Sequence, residues 1–284
     1  MSSWNQVAIV GVGLIGGSVG MALRARGLAR HVVGVGRSSR RLRRARQRGA
    51  VTATSTSLSR GVASADLVVV CTPVHLVVES VRQAAGSCPA GTLITDVGST
   101  KERIVTALDE HLGAAEEDVA FVGSHPMAGS EKSGVQFAEA DLLMDRLVIV
   151  TPSRRTRPAN AAAIEDLWKS LGARVIRTSP AFHDRAAGAV SHLPHAVASA
   201  LAAGTQERDL PLAATGWRDT TRIAAGDVDL WTRILLENRA HVLKSLGKFE
   251  KVLSSLRQAL EGNDRAKLEQ LLAAGKRNRD AVGN

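Results

Sequence analysis

The sequence predicts an α/β protein in two parts, a mostly parallel sheet domain over residues 1–179 followed by an all-helical domain over residues 180–284. Three observations carry that division. Apolar runs of strand length alternate with helical stretches as far as Ile176. A G-x-G-x-x-G pattern lies directly between the first of those runs and the first helix. Beyond Thr178-Ser179-Pro180 the strand-like runs stop, and long helical patterns follow, such as Ala186 to Ala203 and Leu230 to Leu260.

The first strand is Val7-Ala8-Ile9-Val10, and the glycines are Gly11, Gly13 and Gly16. Gly11 suits a tight turn, Gly13 a close approach of backbone to a pyrophosphate, and Gly16 the packing of helix on strand. The helix, Ile15 to Arg26 with Gly27 as its stop, would turn its amino end to the phosphates. The pattern and its setting predict a Rossmann-type dinucleotide-binding domain.

The next strand, His31 to Gly36, lacks the acidic residue that usually binds the ribose of NAD; Gly36-Arg37-Ser38-Ser39-Arg40-Arg41 stands there instead. Hydroxyls and guanidinium groups in that place suit a 2′-phosphate, so NADP is the expected cofactor ahead of NAD. The same run also reads as a helix with Leu42 and Ala45 inward and Arg43, Arg44, Arg46 and Arg48 in water. Nucleic acid is the second choice for it. A buried strand at Asp66–Cys71 leads into Thr72-Pro73-Val74, placed to lie along the cofactor. A helix from about Leu76 follows, then a strand running from Thr92 into Asp96-Val97-Gly98-Ser99-Thr100-Lys101. Ser99, with Glu102 three residues on, fits a helix N-cap, and equally a hydroxyl aimed at a ligand. The expected cofactor contacts are Gly11, Gly13, Leu14, Ile15, Gly16, Arg37, Ser38, Arg40, Arg41, Thr72, Pro73, Asp96 and Gly98.

A short strand at Val119–Val122 precedes the loop Ser124-His125-Pro126-Met127-Ala128-Gly129. A histidine at a strand's carboxyl end sits where open α/β sheets bind ligands. Strands at Leu147–Val150 and Ala173–Ile176 flank a helix at Asn160–Leu171. In the helical part, Ser191-His192-Leu193-Pro194-His195 places Ser191 and His195 on one face, with His192 pointing elsewhere and a kink at Pro194. Such polar groups either find partners in the core or face a pocket. Gly216-Trp217-Arg218-Asp219-Thr220-Thr221-Arg222 is dense in charge; it reads as a local Arg–Asp salt bridge, or as an arginine fork for a carboxylate.

Composition bounds the rest. The chain has 284 residues, 44% hydrophobic, enough for two domains of about 150 residues each. No apolar run approaches the ~18 residues of a membrane span, and Met1 to Gln6 has no signal-peptide character, so a cytoplasmic protein is expected. Two cysteines, Cys71 and Cys88, form neither a disulfide framework nor a metal site. A net charge of +10 favours small anionic substrates and cofactors or nucleic acid; 3% aromatics and no tyrosine argue against a single-strand binder. Helices from Pro180 onward carry more apolar surface than about 100 residues bury alone, which predicts a homodimer.

Five ordered blocks resemble one family: Gly13-Leu14-Ile15-Gly16-Gly17-Ser18, Asp96 to Lys101, His125 to Gly129, Ser191 to His195, and Arg218-Asp219-Thr220-Thr221-Arg222-Ile223-Ala224. Together they look like the prephenate and arogenate (cyclohexadienyl) dehydrogenases of tyrosine biosynthesis, in the monofunctional form without mutase or regulatory segments. The resemblance implies oxidative decarboxylation of prephenate or arogenate with hydride transfer to NAD(P)⁺. It implies that His125 is the base, that Ser99 supports it at the ring hydroxyl, that Ser191, His195 and Trp231 line the substrate pocket, and that Arg222 binds a substrate carboxylate. The arginines after Gly36 stand where NAD-using members carry an acidic residue, and Thr215 before Gly216 stands where some members have glycine. Two rivals remain on the residues alone. One is a hydroxyacid or imine reductase of similar plan, which usually uses lysine where this chain has His125. The other is an NADP(H)-sensing protein, which needs no such constellation.

Overall fold

The computed structural model describes residues 4–112, 119–128 and 132–283, so Gly129 of the third block lies outside the described residues. The strands are β1 (Trp4–Val10), β2 (Ala29–Val35), β3 (Ala53–Ser55), β4 (Leu67–Val70), β5 (Thr92–Asp96), β6 (Val119–Pro126), β7 (Leu147–Thr151) and β8 (Arg174–Arg177). They form one sheet in the order β3-β2-β1-β4-β5-β6-β7-β8, parallel throughout except for β6 against β7.

Helices cover both faces: α1 (Leu14–Ala25), α2 (Ser39–Gln47), α3 (Leu58–Val62), α4 (Val77–Ala85), α5 (Glu102–Leu112) and α6 (Pro158–Ser170). Successive strand side chains point to opposite faces, so two apolar layers result. Val7, Ile9, Leu67 and Val69 pack with Val19 and Leu23 of α1 and Ile164 and Trp168 of α6. Ala8, Val10, Val68 and Val70 pack with Val77 and Val81 of α4 and Ile104 and Leu108 of α5. Burial on both faces is why the strands read as continuous apolar runs. With β2 on one side of β1 and β4 on the other, the crevice for a ligand opens at the carboxyl ends of β1 and β4.

The sheet ends at Arg177 and the helical part begins at Pro180, capped by the Ser179 hydroxyl. It comprises α7 (Pro180–Ala187), a π turn (Gly188–His192), α8 (Leu193–Gly204), α9 (Thr215–Thr221), a short 3₁₀ turn (Arg222–Ala225), α10 (Val228–Glu237), α11 (Arg239–Glu261) and α12 (Arg265–Asp280). Val228, Leu236, Leu243, Val252, Leu260 and Leu272 are exposed on it. Among the described residues no helix is long and apolar enough to cross a membrane.

Several elements differ from the sequence expectation. β3 and α3 were not expected, because Ala53-Thr54-Ser55 is a short polar edge strand without an apolar run. β6 does not stop at Val122: pairing of His125 with Ile149 and Pro126 with Val148 carries it onward, so His125 is a strand residue and not a loop residue. The Leu230–Leu260 run breaks at Asn238, which lies between α10 and α11. At Pro194 the expected kink takes the form of the π turn just before it. Proline then falls in the first turn of α8, where a missing backbone donor costs little.

Candidate active site

The crevice begins at the glycine loop. Gly11 has φ +96°, and a Cβ there would stand 2.6 Å from the Cys71 carbonyl oxygen, so only glycine fits. A Cβ at Gly16 would meet the Gly11 carbonyl oxygen at 2.3 Å. Around Gly13 a Cβ would meet nothing within 4 Å, so this glycine faces open space at the mouth of the crevice. The amino end of α1, starting at Leu14 and Ile15, has no side-chain cap and no acidic residue in its first turn. Its amide dipoles are therefore left for an anion, and the cradle fits the pyrophosphate of a dinucleotide.

At the β2 end, Arg37, Arg40 and Arg41 are exposed. Ser38 is the N-cap of α2, its hydroxyl oxygen accepting from the Arg41 amide at 3.4 Å. Arg48, expected to face water, also donates to the Ala138 carbonyl at 3.0 Å. Thr72 sits half-buried with its hydroxyl 3.4 Å from that of Ser80, and Pro73 is exposed.

Asp96 does not face the crevice with its carboxylate. It is fully buried, ion-paired with the equally buried Lys101, and accepts from the amides of Gly98 at 2.8 Å and Ser124 at 3.2 Å. Lys101 Nζ also donates to the Ser124 carbonyl at 2.9 Å. The Ser124 hydroxyl donates to the Asp96 carbonyl at 2.6 Å and accepts from Trp168 Nε1 at 3.0 Å. This network ties the end of β5 to the end of β6, one residue before His125. Burial pulls the Lys101 pKa down, against the opposing pull of Asp96.

His125 is 7% exposed, and its Nδ1 lies 2.9 Å from His183 Nε2. His183 Nδ1 in turn lies 2.7 Å from Asp184 Oδ1. Asp184 also accepts from the amides of Lys101 at 2.7 Å and Glu102 at 2.9 Å, and so caps α5 from α7. Ser99, half-buried in the preceding loop, is thus not the cap of α5. Burial, with His183, Lys101 and His192 nearby, drives the His125 pKa well below the ordinary imidazole value, so the ring is neutral near pH 7. Burial pushes Asp184 up, but hydrogen bonds from His183 and the two amides outweigh it and keep the group ionised.

His192, expected to point away from the site, is buried in the same cluster. Its Nδ1 lies 3.0 Å from Asn238 Nδ2, which also donates to the Asp184 carbonyl at 2.8 Å. An amide nitrogen only donates, so His192 Nδ1 accepts and its proton is on Nε2, a buried donor with no partner among the described residues. Burial lowers the His192 pKa to about 4, with Asp184 opposing. His195 is stacked on Trp231, centroids 3.5 Å apart at 13°, and Gly226 gives that stack its room: a Cβ there would come within 2.8 Å of Trp231 Nε1. Burial lowers the His195 pKa as well. Ser191 is half-buried in the π turn, and Arg222 is exposed on the 3₁₀ turn before α10. Among the described residues no group of three or more His, Cys, Asp or Glu is arranged to hold a metal ion.

The sequence reading did not single out His183, Asp184 and Asn238. Their signal was present only as adjacent polar residues, Phe182-His183-Asp184, on a helix that had to bury one face. A separate cleft of about 370 Å³ behind Asp184 is lined by Glu102, Glu110 and Glu237 among others, a poor match for an anionic ligand.

A glycine cradle at the carboxyl end of β1 and a neutral, buried histidine near the carboxyl end of β6, on the same edge of the sheet, fit the class of dinucleotide-dependent oxidoreductases. The comparisons sharpen that class. A family model for the nucleotide-binding domain of prephenate dehydrogenase matches residues 19–177, and one for its dimerization domain matches residues 179–274. Prephenate dehydrogenase of Bacillus subtilis is 32% identical over 285 residues, which span 98% of this chain and 76% of the relative. Cyclohexadienyl dehydrogenase of Zymomonas mobilis is 32% identical over 271 residues, 93% of this chain and 91% of the relative. The crystal structure of A. aeolicus prephenate dehydrogenase with hydroxyphenyl propionate and NAD⁺ matches with a TM-score of 0.89 and 33% identity over 99% of both chains. The chain belongs to the prephenate dehydrogenase family.

Proposed function

We propose that this protein oxidatively decarboxylates a prephenate-type cyclohexadienyl acid, prephenate or arogenate, in tyrosine biosynthesis, with His125 as the base. The observation that carries the reading is the buried, neutral His125 near the carboxyl end of β6, on the same edge of the sheet as the glycine loop after β1. The bound nicotinamide dinucleotide supplies the hydride acceptor. As hydride leaves the ring carbon, His125 Nε2 takes the proton of the hydroxyl on that carbon. The electron pair of the bond to the departing carboxylate then flows through the ring to the oxygen, which takes the proton back from His125. The products are carbon dioxide and a phenol, with no net proton released. Aromatisation drives the step, and the protein's part is orientation and proton handling.

Ser99 supports His125 at the ring oxygen, Ser191, His195 and Trp231 form the pocket wall, and Arg222 pairs with a substrate carboxylate. The glycine cradle supports use of NAD(P)⁺. The exposed Arg37, Arg40 and Arg41 favour NADP⁺ over NAD⁺. The uncovered apolar side chains of α10, α11 and α12 support a homodimer built through the helical part.

The test is the rise in absorbance at 340 nm with prephenate or arogenate and either cofactor. Turnover with neither substrate would sink the proposal, and equal or better kcat/KM with NAD⁺ would remove the NADP preference. Arg222→Ala is expected to raise KM with kcat little changed, since a carboxylate contact exists in ground and transition states alike.

A further inference from the structure

We propose that His183 and Asp184 are positioning residues that fix the tautomer of His125, so that its Nε2 lone pair faces the substrate hydroxyl. The inference rests on the assignment of His125 as the base, and it deepens that assignment. An ionised carboxylate only accepts hydrogen bonds. Asp184 Oδ1, 2.7 Å from His183 Nδ1, therefore places the His183 proton on Nδ1. His183 Nε2 is then an acceptor, and its 2.9 Å partner, His125 Nδ1, must be the donor. A neutral His125 with its proton on Nδ1 carries its lone pair on Nε2. The rings meet edge to face, with centroids 5.1 Å apart and planes at 67°, so the bond directs one ring at the edge of the other.

The relay has a second end. The Asp184 carboxylate is held by the amides of Lys101 and Glu102, at the start of the helix that follows the Ser99 loop. The same aspartate thus sets the position of that loop and the orientation of the base. Its backbone carbonyl is held by Asn238 at 2.8 Å, which links it to the break between α10 and α11. When Nε2 takes the substrate proton, no second proton needs to move. The imidazolium keeps its Nδ1 proton on the bond to His183, and the charge of Asp184 stabilises it through that ring.

Charged and titratable groups around His125 are Lys101 and Asp96 from the segment joining β5 to α5, His183 and Asp184 from α7, and His192 from the π turn. Burial, His183, Lys101 and His192 all disfavour the imidazolium, and the bond from Nδ1 to His183 Nε2 is the contact that favours it. In His183→Phe the His125 Nδ1 proton loses its acceptor; losing a hydrogen bond to the charged form should move the acidic limb of kcat to lower pH.

The experiment compares His183→Phe, His183→Gln and Asp184→Asn in the full-length protein, each as kcat, KM and the pH profile of kcat. Phenylalanine keeps ring packing and loses both hydrogen bonds. Glutamine loses the ring but offers an amide oxygen to His125 and an amide N–H to Asp184. The expected result is a kcat lowered about 10²-fold or more in His183→Phe, with KM little changed and the limb shifted to lower pH. His183→Gln should recover at least tenfold of that loss. Asp184→Asn removes the charge, and because both carboxylate oxygens accept backbone amides its NH₂ must displace one of these bonds, so kcat should fall about 10²-fold or more. On a His125→Asn background, His183→Phe should cost no further kcat.

If Phe is as active as Gln, or the limb stays in place, the role is packing and the proposal fails. Should His183→Phe not fold, Asp184→Asn with unchanged kcat and limb overturns it equally. If His125→Asn itself keeps wild-type kcat, the base assignment fails first. If His125→Asn is inactive while the relay variants are normal, only the relay is wrong.

Discussion

At the β6 end of the crevice the polar groups around His125 are buried and joined into named hydrogen bonds, whereas at the β2 end Arg37, Arg40 and Arg41 stand in solvent beside a serine that caps its own helix. The first region fixes protonation states: low dielectric and close neighbours push His125 and His192 down and hold Asp184 ionised. The second provides charge without fixed geometry, which suits selection between two cofactors that differ by one phosphate. Proton transfer needs the former, because a base must have one tautomer and one charge at the moment of reaction. Changes at the two ends should accordingly differ in kind: stability and kcat at the buried end, cofactor KM at the exposed one.

The largest effect on stability is expected from Lys101→Met. Removing one partner of a buried ion pair leaves Asp96 uncompensated, which typically costs about 3–5 kcal/mol. Denaturant unfolding should show that loss, and a change under about 1 kcal/mol would mean that the pair contributes little.

A second expectation concerns acid. A histidine whose folded pKa lies below its unfolded value stabilises the fold fully above the unfolded value, and that stability is lost as pH falls through it. For His192, between about 6.5 and about 4, the loss amounts to up to about 3 kcal/mol. The melting temperature should fall over this range, less steeply in His192→Gln. An identical slope in the variant would contradict the burial of a neutral ring there.

Smaller and confined to the cofactor is the expected effect of Arg37→Ala. KM for NADP⁺ should rise about tenfold, the lower end of a charge-assisted contact, with NAD⁺ unaffected. Equal effects on both cofactors would remove Arg37 from the 2′-phosphate.

The two regions also differ in how far they were legible in sequence. The glycine loop was readable because the spacing of Gly11, Gly13 and Gly16 directly after an apolar run is itself a local pattern, although Gly11 and Gly16 are also crowded by Cys71, just past the end of β4. The arginine segment was readable from what it lacks, an acid after β2. His125 was found, but in a loop, because the antiparallel pairing that extends β6 depends on β7, over 20 residues away. The burial of the Asp96 carboxylate is not legible in sequence, since nothing local shows that Lys101 folds back on it. His183 and Asp184 are not legible because their partners lie far upstream: His125 for His183, and the amides of Lys101 and Glu102 for Asp184. Asn238 lay inside an apolar run that reads as one helix, and only the contact with His192 and Asp184 explains why the helix breaks there.

The most direct test of the central claim is the pH profile of kcat for the wild type and His125→Asn. The variant keeps a hydrogen-bonding side chain of similar size but cannot take the proton. Its kcat should be lower by about 10²–10⁴, with a modest change in KM. The wild-type profile should carry an acidic limb displaced below the ordinary imidazole range, as the buried ring requires, and the variant should lose that limb. A His125→Asn enzyme with near-normal kcat and an intact limb, alongside a His195→Asn enzyme that has lost both, would contradict the account and move the base to the histidine stacked on Trp231.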